Sequence, residues 1–200
     1  MKIAIEGMDG SGKTTVAKAV AERFDYRYVD RPFAFLFEYI GFTVEQIKAM
    51  EWKLWETEDE ALISLLYSMG LLYGTRCINE ENVVYDRHYA SNYYWHGNEE
   101  TTLLHQEIIR LGGIPDLTIL LHASVDVRMS RIKKRDCNDQ DLSNSAMYDY
   151  GYNKMINFLK TNEFPFVVLE TDSKTPDEVI AEAIRIISNE KGYDLKKERS

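Results

Sequence analysis

The stretch MKIAIEGMDGSGKTT, residues 1–15, decides the fold. Residues 2–6 form an apolar run typical of a buried strand, and residues 14–24 have the apolar spacing of a helix. Between them lies the pattern Gly-x-x-x-x-Gly-Lys-Thr, which runs from Gly7 to Thr14. Glycine loses more conformational freedom on folding than other residues, so its concentration here indicates a backbone that other residues adopt poorly. In this strand–loop–helix context the pattern predicts a phosphate-binding loop.

Each part of the loop has a physical task. Backbone N–H groups that the glycines turn inward donate to phosphate oxygens, and the N-terminus of the following helix adds partial positive charge. Lys13 adds a full positive charge at the β- and γ-phosphates, and the hydroxyl of Thr14 suits Mg²⁺, which prefers oxygen ligands. Kinases, GTPases and ATPases share this loop, so it predicts a bound nucleoside triphosphate without naming the reaction.

A second motif lies at the end of another apolar strand, VVYD (83–86). Asp86 ends this strand in the manner of a Walker-B element, in which a carboxylate orders Mg²⁺ or its water ligands. Arg87 follows directly and brings a cation to the same strand end, near the transferring phosphates. Beside a phosphate loop, we interpret this pair as functional rather than as a surface ion pair.

The third motif is RMSRIKKRD (128–136), a basic helix end followed by the polar, aperiodic residues 136–145. Arginines at the base of a lid neutralise charge during phosphoryl transfer and help to exclude water. We expect Arg131 and Arg135 to act in this way. The other basic residues are interpreted as a solvated helix end that the helix dipole favours: Arg128, Lys133 and Lys134.

Strands and helices alternate along the chain. The predicted strands are residues 2–6, 26–30, 82–86, 116–122 and 164–170. Capping patterns predict that helices begin at Thr43, Thr57, Ser124 and Thr175. Helical spacing predicts two further helices, over residues 101–112 and 146–161. Continuous Val, Ile and Leu runs in the strands predict an α/β fold, with a parallel sheet covered by helices on both faces. We expect a single domain over residues 1–200, with ligands beyond the carboxyl ends of the strands.

Composition limits the partners and the compartment. The chain of 200 residues has a formal net charge of -9, which argues against nucleic acid or an anionic membrane as its main partner. No apolar run is long enough to span a membrane and the N-terminus has no signal-peptide pattern, so we expect a cytoplasmic protein. Cys77 and Cys137 fit no metal or redox spacing, and Cys77 is expected in the core, as are Trp52 and Trp55.

Three segments resemble the thymidylate kinases in order and spacing: EGMDGSGKTT (6–15), VVYDRHYASN (83–92) and PDLTILLHASVDVRMSRIKKRD (115–136). The resemblance implies a P-loop NTPase fold, with a five-stranded parallel sheet, flanking helices and a lid at about residues 136–146. It implies transfer of the γ-phosphoryl group of ATP to a nucleoside monophosphate, with dTMP to dTDP as the leading reaction and Mg²⁺ as cofactor. It also suggests a homodimer.

The resemblance assigns roles residue by residue. ATP is expected on Gly7, Asp9, Gly10, Ser11, Gly12, Lys13, Thr14 and Thr15. The acceptor is expected on Asp9, Arg31, Arg87, Ser91, Asn92 and Trp95, with Arg87 on its phosphate. The catalytic groups are expected to be Lys13, Arg87, Arg131 and Arg135, and the residues that serve Mg²⁺ are Thr14 and Asp86. Gly10 stands where one subgroup carries a loop arginine, so the catalytic arginines of this chain are expected at the lid.

The chain departs from the family pattern in two places. Asp30-Arg31-Pro32-Phe33 replaces the usual Arg-Glu-Pro-Gly-Gly after the second strand. The helix before the Asp-Arg strand usually carries an arginine that reads the thymine base, whereas LLYSMGLLYGTR contains none before Arg76. The phosphoryl-transfer half of the site is therefore intact, and the base-reading half is rewritten.

Other functions stay open. A deoxynucleoside kinase would phosphorylate a sugar hydroxyl and would need a carboxylate base, for which Asp9 or Glu6 could serve. A kinase for another (deoxy)nucleoside monophosphate would keep the phosphate machinery with a different base pocket, and a protein that binds ATP without turnover is the non-enzyme alternative. A GTP-driven switch is disfavoured, because the chain lacks a base-reading Asn-Lys-x-Asp motif.

Overall fold

The computed structural model describes residues 1–136 and 150–197. Strands and helices alternate through most of this chain, as the sequence predicts. In chain order the elements are β1 (Lys2–Gly7), α1 (Lys13–Phe24), β2 (Arg27–Asp30), α2 (Pro32–Tyr39), α3 (Val44–Trp55), α4 (Glu60–Cys77), β3 (Val83–Asp86), α5 (Tyr89–His96), α6 (Thr102–Gly112), β4 (Leu117–His122), α7 (Val125–Arg135), α8 (Tyr150–Thr161), β5 (Phe166–Glu170) and α9 (Pro176–Lys197).

The five strands form one sheet in the order β2-β3-β1-β4-β5. Every pairing is parallel, and in the central strand Ile5 lies opposite Asp86 of β3 on one side and Ile119 of β4 on the other. The strands β1 and β4 are buried on both faces because helices cover both faces of a parallel sheet. The predicted α/β fold with a five-stranded parallel sheet is confirmed.

Two apolar clusters fill the layers on either side of the sheet. One joins β1 and β4 to α1 and α9, with Val16 and Ala183 among its buried side chains. The other joins α5 and α8, with Tyr89 and Met155 among its buried side chains. Because burial of these side chains fixes β1 between two helical layers, the loop that follows β1 starts from a rigid position.

The strand order reverses at β1, which has β3 and β2 on one side and β4 and β5 on the other. Ligands of open α/β sheets bind at such a switch point, outside the carboxyl ends of the strands. The Gly-rich loop follows β1 directly, and Arg87 follows β3. The two strand-end motifs of the sequence therefore meet at the crevice where this fold binds ligands.

Two predicted helix starts are confirmed in detail. Thr43 and Gln46 form a reciprocal capping box at the start of α3. At the start of α9, the backbone N–H of Glu178 donates to the Thr175 hydroxyl at 3.3 Å, and the backbone N–H of Thr175 donates to the Glu178 carboxylate at 2.7 Å. Both pairs satisfy N–H groups that a helix start leaves without partners.

The predicted cap at Thr57 is wrong, and the one at Ser124 is confirmed only as the start of α7. The Thr57 hydroxyl donates to a carbonyl in the last turn of α3, and Asp59 caps α4 by accepting from the backbone N–H of Leu62. Ser124 does precede α7, but its side chain makes no capping bond. Its backbone N–H instead donates to the Asp172 carboxylate at 2.8 Å, which ties α7 to the loop after β5.

The sequence pattern does not predict α2 or α5. Most residues of α5 are buried, and a helix that is enclosed on several sides has no polar face to reveal its period. Cys77 and Trp52, which were expected in the core, are exposed. Neither the predicted lid beyond residue 136 nor the start of the helix predicted over residues 146–161 lies within the described residues, and that helix is seen from Tyr150.

Across residues 1–136 and 150–197, no helix combines the length and the apolar character that a bilayer crossing requires.

Candidate active site

Three glycines shape the loop between β1 and α1. Gly7, Gly10 and Gly12 have φ angles of 144°, 81° and 97°, which residues with side chains rarely adopt. A Cβ atom at Gly7 would lie 2.5 Å from the carbonyl oxygen of Leu121, and a Cβ atom at Gly10 would lie 2.8 Å from that of Arg128. The backbone conformation and the close approach of β4 and α7 therefore both require glycine in this loop.

Lys13 begins α1 and reaches back into the loop. Its side chain is 4% exposed, and its ammonium donates to the Met8 carbonyl at 2.8 Å and lies 3.5 Å from the Asp9 carboxylate. Burial and the neighbouring Arg87 guanidinium lower the pKa of Lys13 to about 8. A buried ammonium beside a helix N-terminus favours an anionic ligand, which would relieve this unfavourable environment.

Asp9 joins Lys13 to Arg87, whose Nη2 donates to the Asp9 carboxylate. Although burial alone would raise the pKa of Asp9, the two cations hold it well below its usual range, so the carboxylate is charged near pH 7. Arg87 has a φ angle of 75°, a left-handed conformation that costs a side-chain-bearing residue on the order of 1 kcal/mol. Its backbone N–H donates to the Ile5 carbonyl at 3.1 Å, which holds the chain in this conformation next to the phosphate loop.

Thr14 and Asp86 lie together, where the sequence predicts the magnesium site. The Thr14 hydroxyl donates to Oδ2 of Asp86 at 2.5 Å, and the Tyr28 hydroxyl donates to the same oxygen at 3.1 Å. Asp86 is 2% exposed, and its Oδ1 has no hydrogen-bond partner among the described residues. Proteins usually hold nucleotide-bound Mg²⁺ through one or two carboxylates together with phosphate oxygens and waters. A hydroxyl next to a buried carboxylate with one unsatisfied oxygen fits that ion.

Two cavities meet at Asp9 and Arg87. The first has a volume of about 620 Å³ and is lined by the phosphate loop, by α7 and by the segment after β5. The second, which we call the acceptor cavity, has a volume of about 430 Å³ and is lined mainly by residues of α2, α3, α4 and α5. Asp9 and Arg87 line both cavities. Ligands in the two cavities could therefore exchange a phosphoryl group beside these two side chains.

The helix α7 brings Arg131 against the phosphate loop. Its guanidinium donates to the hydroxyl of Thr171 at 3.0 Å and to the carbonyl of Thr171 at 2.8 Å, and it lies 3.4 Å from the carbonyl of Gly10. Arg135, one turn later, is exposed and lines the same cavity. The two arginines predicted at the base of the lid, Arg131 and Arg135, therefore line the cavity of the loop where ATP is expected.

Arg128 is not part of a solvated helix end, and that interpretation is wrong. Its side chain is buried, and Nε donates to the carbonyl of Ala123 at 3.1 Å. The cause is the contact between α7 and the loop, where the backbone of Arg128 packs on Gly10. Lys133 and Lys134 are exposed, as predicted.

Glu6 organises the start of α5. Its buried carboxylate accepts the backbone N–H groups of His88, Ala90 and Ser91, and it also accepts the Ser91 hydroxyl. These bonds satisfy the donors that a helix N-terminus leaves open. Ser91 lines the acceptor cavity as predicted, but its hydroxyl is committed to Glu6. Glu6 lines neither of the two cavities and is poorly placed to act as a base.

The remaining predicted acceptor residues also line the acceptor cavity. Arg31 has a φ angle of 39° at the start of α2, and its side chain is exposed. The Asn92 side chain donates to the Ser68 hydroxyl at 3.2 Å, and Trp95 packs edge to face on Tyr94 with ring centroids 4.7 Å apart. The structure therefore brings every predicted acceptor residue to one cavity.

Sequence reasoning missed one wall of this cavity. Trp55, expected in the core, is 45% exposed, and its Nε1 donates to the Tyr67 hydroxyl at 3.4 Å. The Tyr67 hydroxyl donates to Oε1 of Glu51 at 2.7 Å, and the ring of His96 stacks on Tyr67 with centroids 4.0 Å apart. Lys48 lines the cavity from the same helix as Glu51. No sequence motif marks these residues, because they converge only when α3, α4 and α5 pack together.

Known proteins share this pattern over most of the chain. The sequence profile of the family described as Thymidylate kinase matches residues 5–183. The chain belongs to the thymidylate kinase family. A "Probable thymidylate kinase" of Methanocaldococcus jannaschii is 27% identical over 197 residues, which cover 94% of this chain and 96% of that protein. A second, from Archaeoglobus fulgidus, is 29% identical over 200 residues, which cover 94% and 95%.

Solved structures support the fold of this thymidylate kinase family member. The deoxyadenosine kinase from M. mycoides with bound dATP superposes with a TM-score of 0.65 at 18% identity, over 94% of this chain and 100% of that one. At that identity the likeness concerns the fold alone. Together with the family match, it confirms the predicted class: the chain is an ATP-dependent nucleoside monophosphate kinase on a P-loop fold.

The kinase departs from its family in α4, as the sequence indicates. Arg76 is the arginine of this helix, and its guanidinium donates to the carbonyl of Leu111 at 3.1 Å on an exposed surface. It does not line the acceptor cavity, to which α4 contributes Tyr67 and Leu71. Among the described residues of α4, no charged side chain therefore lines the acceptor cavity.

Proposed function

We propose that this kinase transfers the γ-phosphoryl group of ATP to a deoxynucleoside monophosphate, with dTMP to dTDP as the leading reaction. The observation that carries the proposal is the meeting of the phosphate-loop cavity and the acceptor cavity at Asp9 and Arg87. The acceptor cavity also contains the guanidinium group of Arg31. Two guanidinium groups favour an acceptor that is itself a phosphate ester, because they bind phosphate through paired hydrogen bonds.

Catalysis in this site rests on position and charge. The ATP phosphates lie on the loop N–H groups with Lys13 at the β- and γ-phosphates, and the acceptor phosphate lies against Arg87. The attacking phosphate oxygen is already ionised, so no strong general base is required. Lys13, Arg87 and the arginines Arg131 and Arg135 neutralise the charge that spreads over the transferring group.

Thr14 and Asp86 are the residues that would hold Mg²⁺, and the bound ion supplies charge neutralisation at the β- and γ-phosphate oxygens. Asp86 contributes a carboxylate that stays in place because the Tyr28 hydroxyl donates to Oδ2. The unsatisfied Oδ1 then remains available to the ion or to its water ligands.

The choice of dTMP rests on the family and on relatives described as probable thymidylate kinases. A deoxynucleoside kinase is the second candidate, because the carboxylates of Glu38 and Glu51 line the acceptor cavity and a sugar hydroxyl needs a base. Asp9 is unsuited to that role, since Lys13 and Arg87 keep its pKa low. Arg31 and Arg87 line the acceptor cavity, and their positive charge favours a monophosphate acceptor over an uncharged nucleoside.

A coupled ADP-release assay with ATP and Mg²⁺ tests the proposal against a panel of nucleoside monophosphates and deoxynucleosides. Turnover with dTMP supports the proposed reaction, and preference for another monophosphate identifies a kinase with altered base specificity. Turnover with deoxynucleosides alone overturns the proposal in favour of the second candidate. ATP binding without turnover on any acceptor identifies a nucleotide-binding protein without catalysis.

We also propose that the kinase is a cytoplasmic homodimer of single domains over residues 1–200, each with a lid at about residues 136–146. The helix α4 carries an apolar stripe at i, i+3 and i+7, where Leu62, Leu65 and Met69 are 49%, 51% and 45% exposed. Such a stripe is suited to pack against its symmetry-related copy. Analytical ultracentrifugation should show a dimer that Leu65→Glu dissociates, whereas Trp52→Glu on α3 leaves it intact.

A further inference from the structure

We propose that the acceptor base is read from α3, where Glu51 accepts and Lys48 donates a hydrogen bond. This pair selects a base whose edge carries a carbonyl oxygen beside an N–H group. Thymine and uracil present that edge, as does guanine, whereas cytosine and adenine present an amino group beside a ring nitrogen. The inference rests on the proposed monophosphate kinase function and adds residues that determine its specificity.

Glu51 is fixed in the acceptor cavity as a hydrogen-bond acceptor. The indole N–H of Trp55 donates to the Tyr67 hydroxyl, and that hydroxyl donates to Oε1 of Glu51. Because the Tyr67 oxygen already accepts the Trp55 N–H, its own proton is directed to Glu51. The second oxygen, Oε2, makes no hydrogen bond to any described residue. An ionised carboxylate held in this way has acceptor sites for a ligand N–H group.

His96 adds no positive charge beside Glu51. Its ring stacks on Tyr67 and is 9% exposed, and its Nδ1 has no hydrogen-bond partner among the described residues. Burial, with smaller effects from His105 and Lys154, lowers the pKa of His96 to about 3, so the ring is neutral near pH 7. The cavity thus places a neutral aromatic ring against Tyr67, and the positive charges near the Tyr67–Glu51 pair come from Arg31 and Lys48, which line the same cavity.

Lys48 supplies the donor on the same helix. Residues three apart in a helix lie on the same face, and Lys48 and Glu51 both line the acceptor cavity. Opposite charges at this spacing ordinarily attract, yet Lys48 forms no ion pair with Glu51 or with any other residue that the structure describes. A donor and an acceptor that line one cavity without an ion pair between them match a base edge on which an acceptor and a donor are adjacent.

The test is a specificity ratio, because a residue with only a structural role lowers the activity for all acceptors alike. We would measure kcat/KM for dTMP and for dCMP in the wild-type kinase, in Glu51→Gln and in Lys48→Met. Glu38→Gln is the matched control, since Glu38 lines the same cavity and loses the same charge. Tyr67→Phe is a second variant, which removes the hydroxyl that orients Glu51 and keeps the ring that stacks on His96.

We expect the ratio of dTMP to dCMP to fall at least about tenfold in Glu51→Gln, because a hydrogen bond to a charged group is lost and the new amide can donate to the ring nitrogen of cytosine. Lys48→Met should lower the ratio in the same direction, and Tyr67→Phe should lower it less. Glu38→Gln should leave the ratio and the KM for ATP unchanged. A ratio in Glu51→Gln equal to that of the wild type would overturn the inference.

One further measurement distinguishes a contact of Glu51 to the base from a contact to the sugar. Another distinguishes failure of this inference from failure of the proposed function. If Glu51→Gln lowers the specificity ratio equally for acceptors that lack the 3′-hydroxyl, Glu51 contacts the base. If the effect of Glu51→Gln disappears with those acceptors, Glu51 contacts the sugar hydroxyl and the inference is overturned. If the wild-type kinase accepts only nucleosides, the proposed function fails, and the ratio of thymidine to deoxycytidine tests Glu51 independently. If there is no turnover, calorimetric Kd values for dTMP and dCMP give the same ratio.

Discussion

Replacing Lys13 by methionine should separate its part in catalysis from its effect on the fold. Methionine keeps much of the length and the apolar stem of the side chain but removes the charge. We expect turnover to fall by at least about a thousandfold, since removal of one fixed donor at a developing charge already lowers rates by roughly 10²–10³-fold. The same change should relieve the ligand-free fold, in which the Lys13 ammonium is buried next to the Arg87 guanidinium.

The size of this relief follows from the pKa of Lys13. Burial and Arg87 lower it from the ordinary 10.5 to about 8, and each pKa unit corresponds to about 1.4 kcal/mol, so the effect is about 3 kcal/mol. Below pH 8 both the folded and the unfolded chain bind the proton, and the full penalty is present. Between pH 8 and 10.5 the unfolded chain binds more protons, so the stability of the wild type rises with pH. The stability difference between variant and wild type should therefore change by about 3 kcal/mol over this interval, in favour of the wild type.

Urea unfolding of both proteins between pH 7 and 10.5 measures this difference, and titrations shared by the two chains cancel in the comparison. Lys18→Met is the matched control, because Lys18 is an exposed lysine of the same helix. ATP with Mg²⁺ should raise the Tm of the wild type much more than that of Lys13→Met, since only the former binds the triphosphate tightly.

Two results would contradict this reasoning about Lys13. Normal kcat in Lys13→Met would show that the ammonium does not act on the transferring phosphoryl group. A stability difference for Lys13→Met that does not change between pH 7 and 10.5 would show that Lys13 does not carry a buried charge in the ligand-free fold.

Three further predictions concern the phosphate-loop cavity. Tyr28→Phe should raise the Mg²⁺ concentration for half-maximal activity severalfold with little change in the acceptor KM, because Asp86 loses a hydrogen bond that orients it, and Mn²⁺ titration followed by electron paramagnetic resonance should show the same weakening. Gly10→Ala should lower the free energy of unfolding by about 1–3 kcal/mol in urea titrations, since its Cβ atom would lie 2.8 Å from the Arg128 carbonyl. Arg131→Lys should lower kcat more than about tenfold in the ADP-release assay, because an ammonium cannot reproduce both contacts to Thr171 and still reach a phosphate.

The half of the site that binds the phosphates of ATP is readable from the sequence because backbone geometry determines it. Positive φ angles at Gly7, Gly10 and Gly12 leave few residue types that fit, so the motif carries the conformation with it. Asp86 and Arg87 are readable for a related reason, since an apolar strand shows where its polar end must lie. Parallel pairing with β1 then brings that end to the phosphate loop.

The acceptor half is predictable from the residues themselves at strand ends, and from the family resemblance at Ser91, Asn92 and Trp95 of α5. Arg31 and Arg87 follow β2 and β3, and both were predicted. Glu51 and Tyr67 lie in the middle of the helices α3 and α4, where charged and aromatic residues are ordinary and no spacing marks a site. The convergence of these two residues depends on the angles at which the helices pack, which the sequence pattern does not encode in a local signal.

Asp9 and Arg87 are the residues through which these two differently built halves touch. In the proposed mechanism main-chain N–H groups and Lys13 hold ATP, and no residue of α3 lines that cavity. The proposed acceptor site is built from side chains of helices that pack around a separate cavity, so we expect a substitution at Glu51 to alter the choice of base while the ATP cavity keeps its shape. The acceptor is therefore the variable part of the proposed site. Under the proposed mechanism a monophosphate acceptor must bring its phosphate to the Arg87 guanidinium, which the Asp9 carboxylate holds in place.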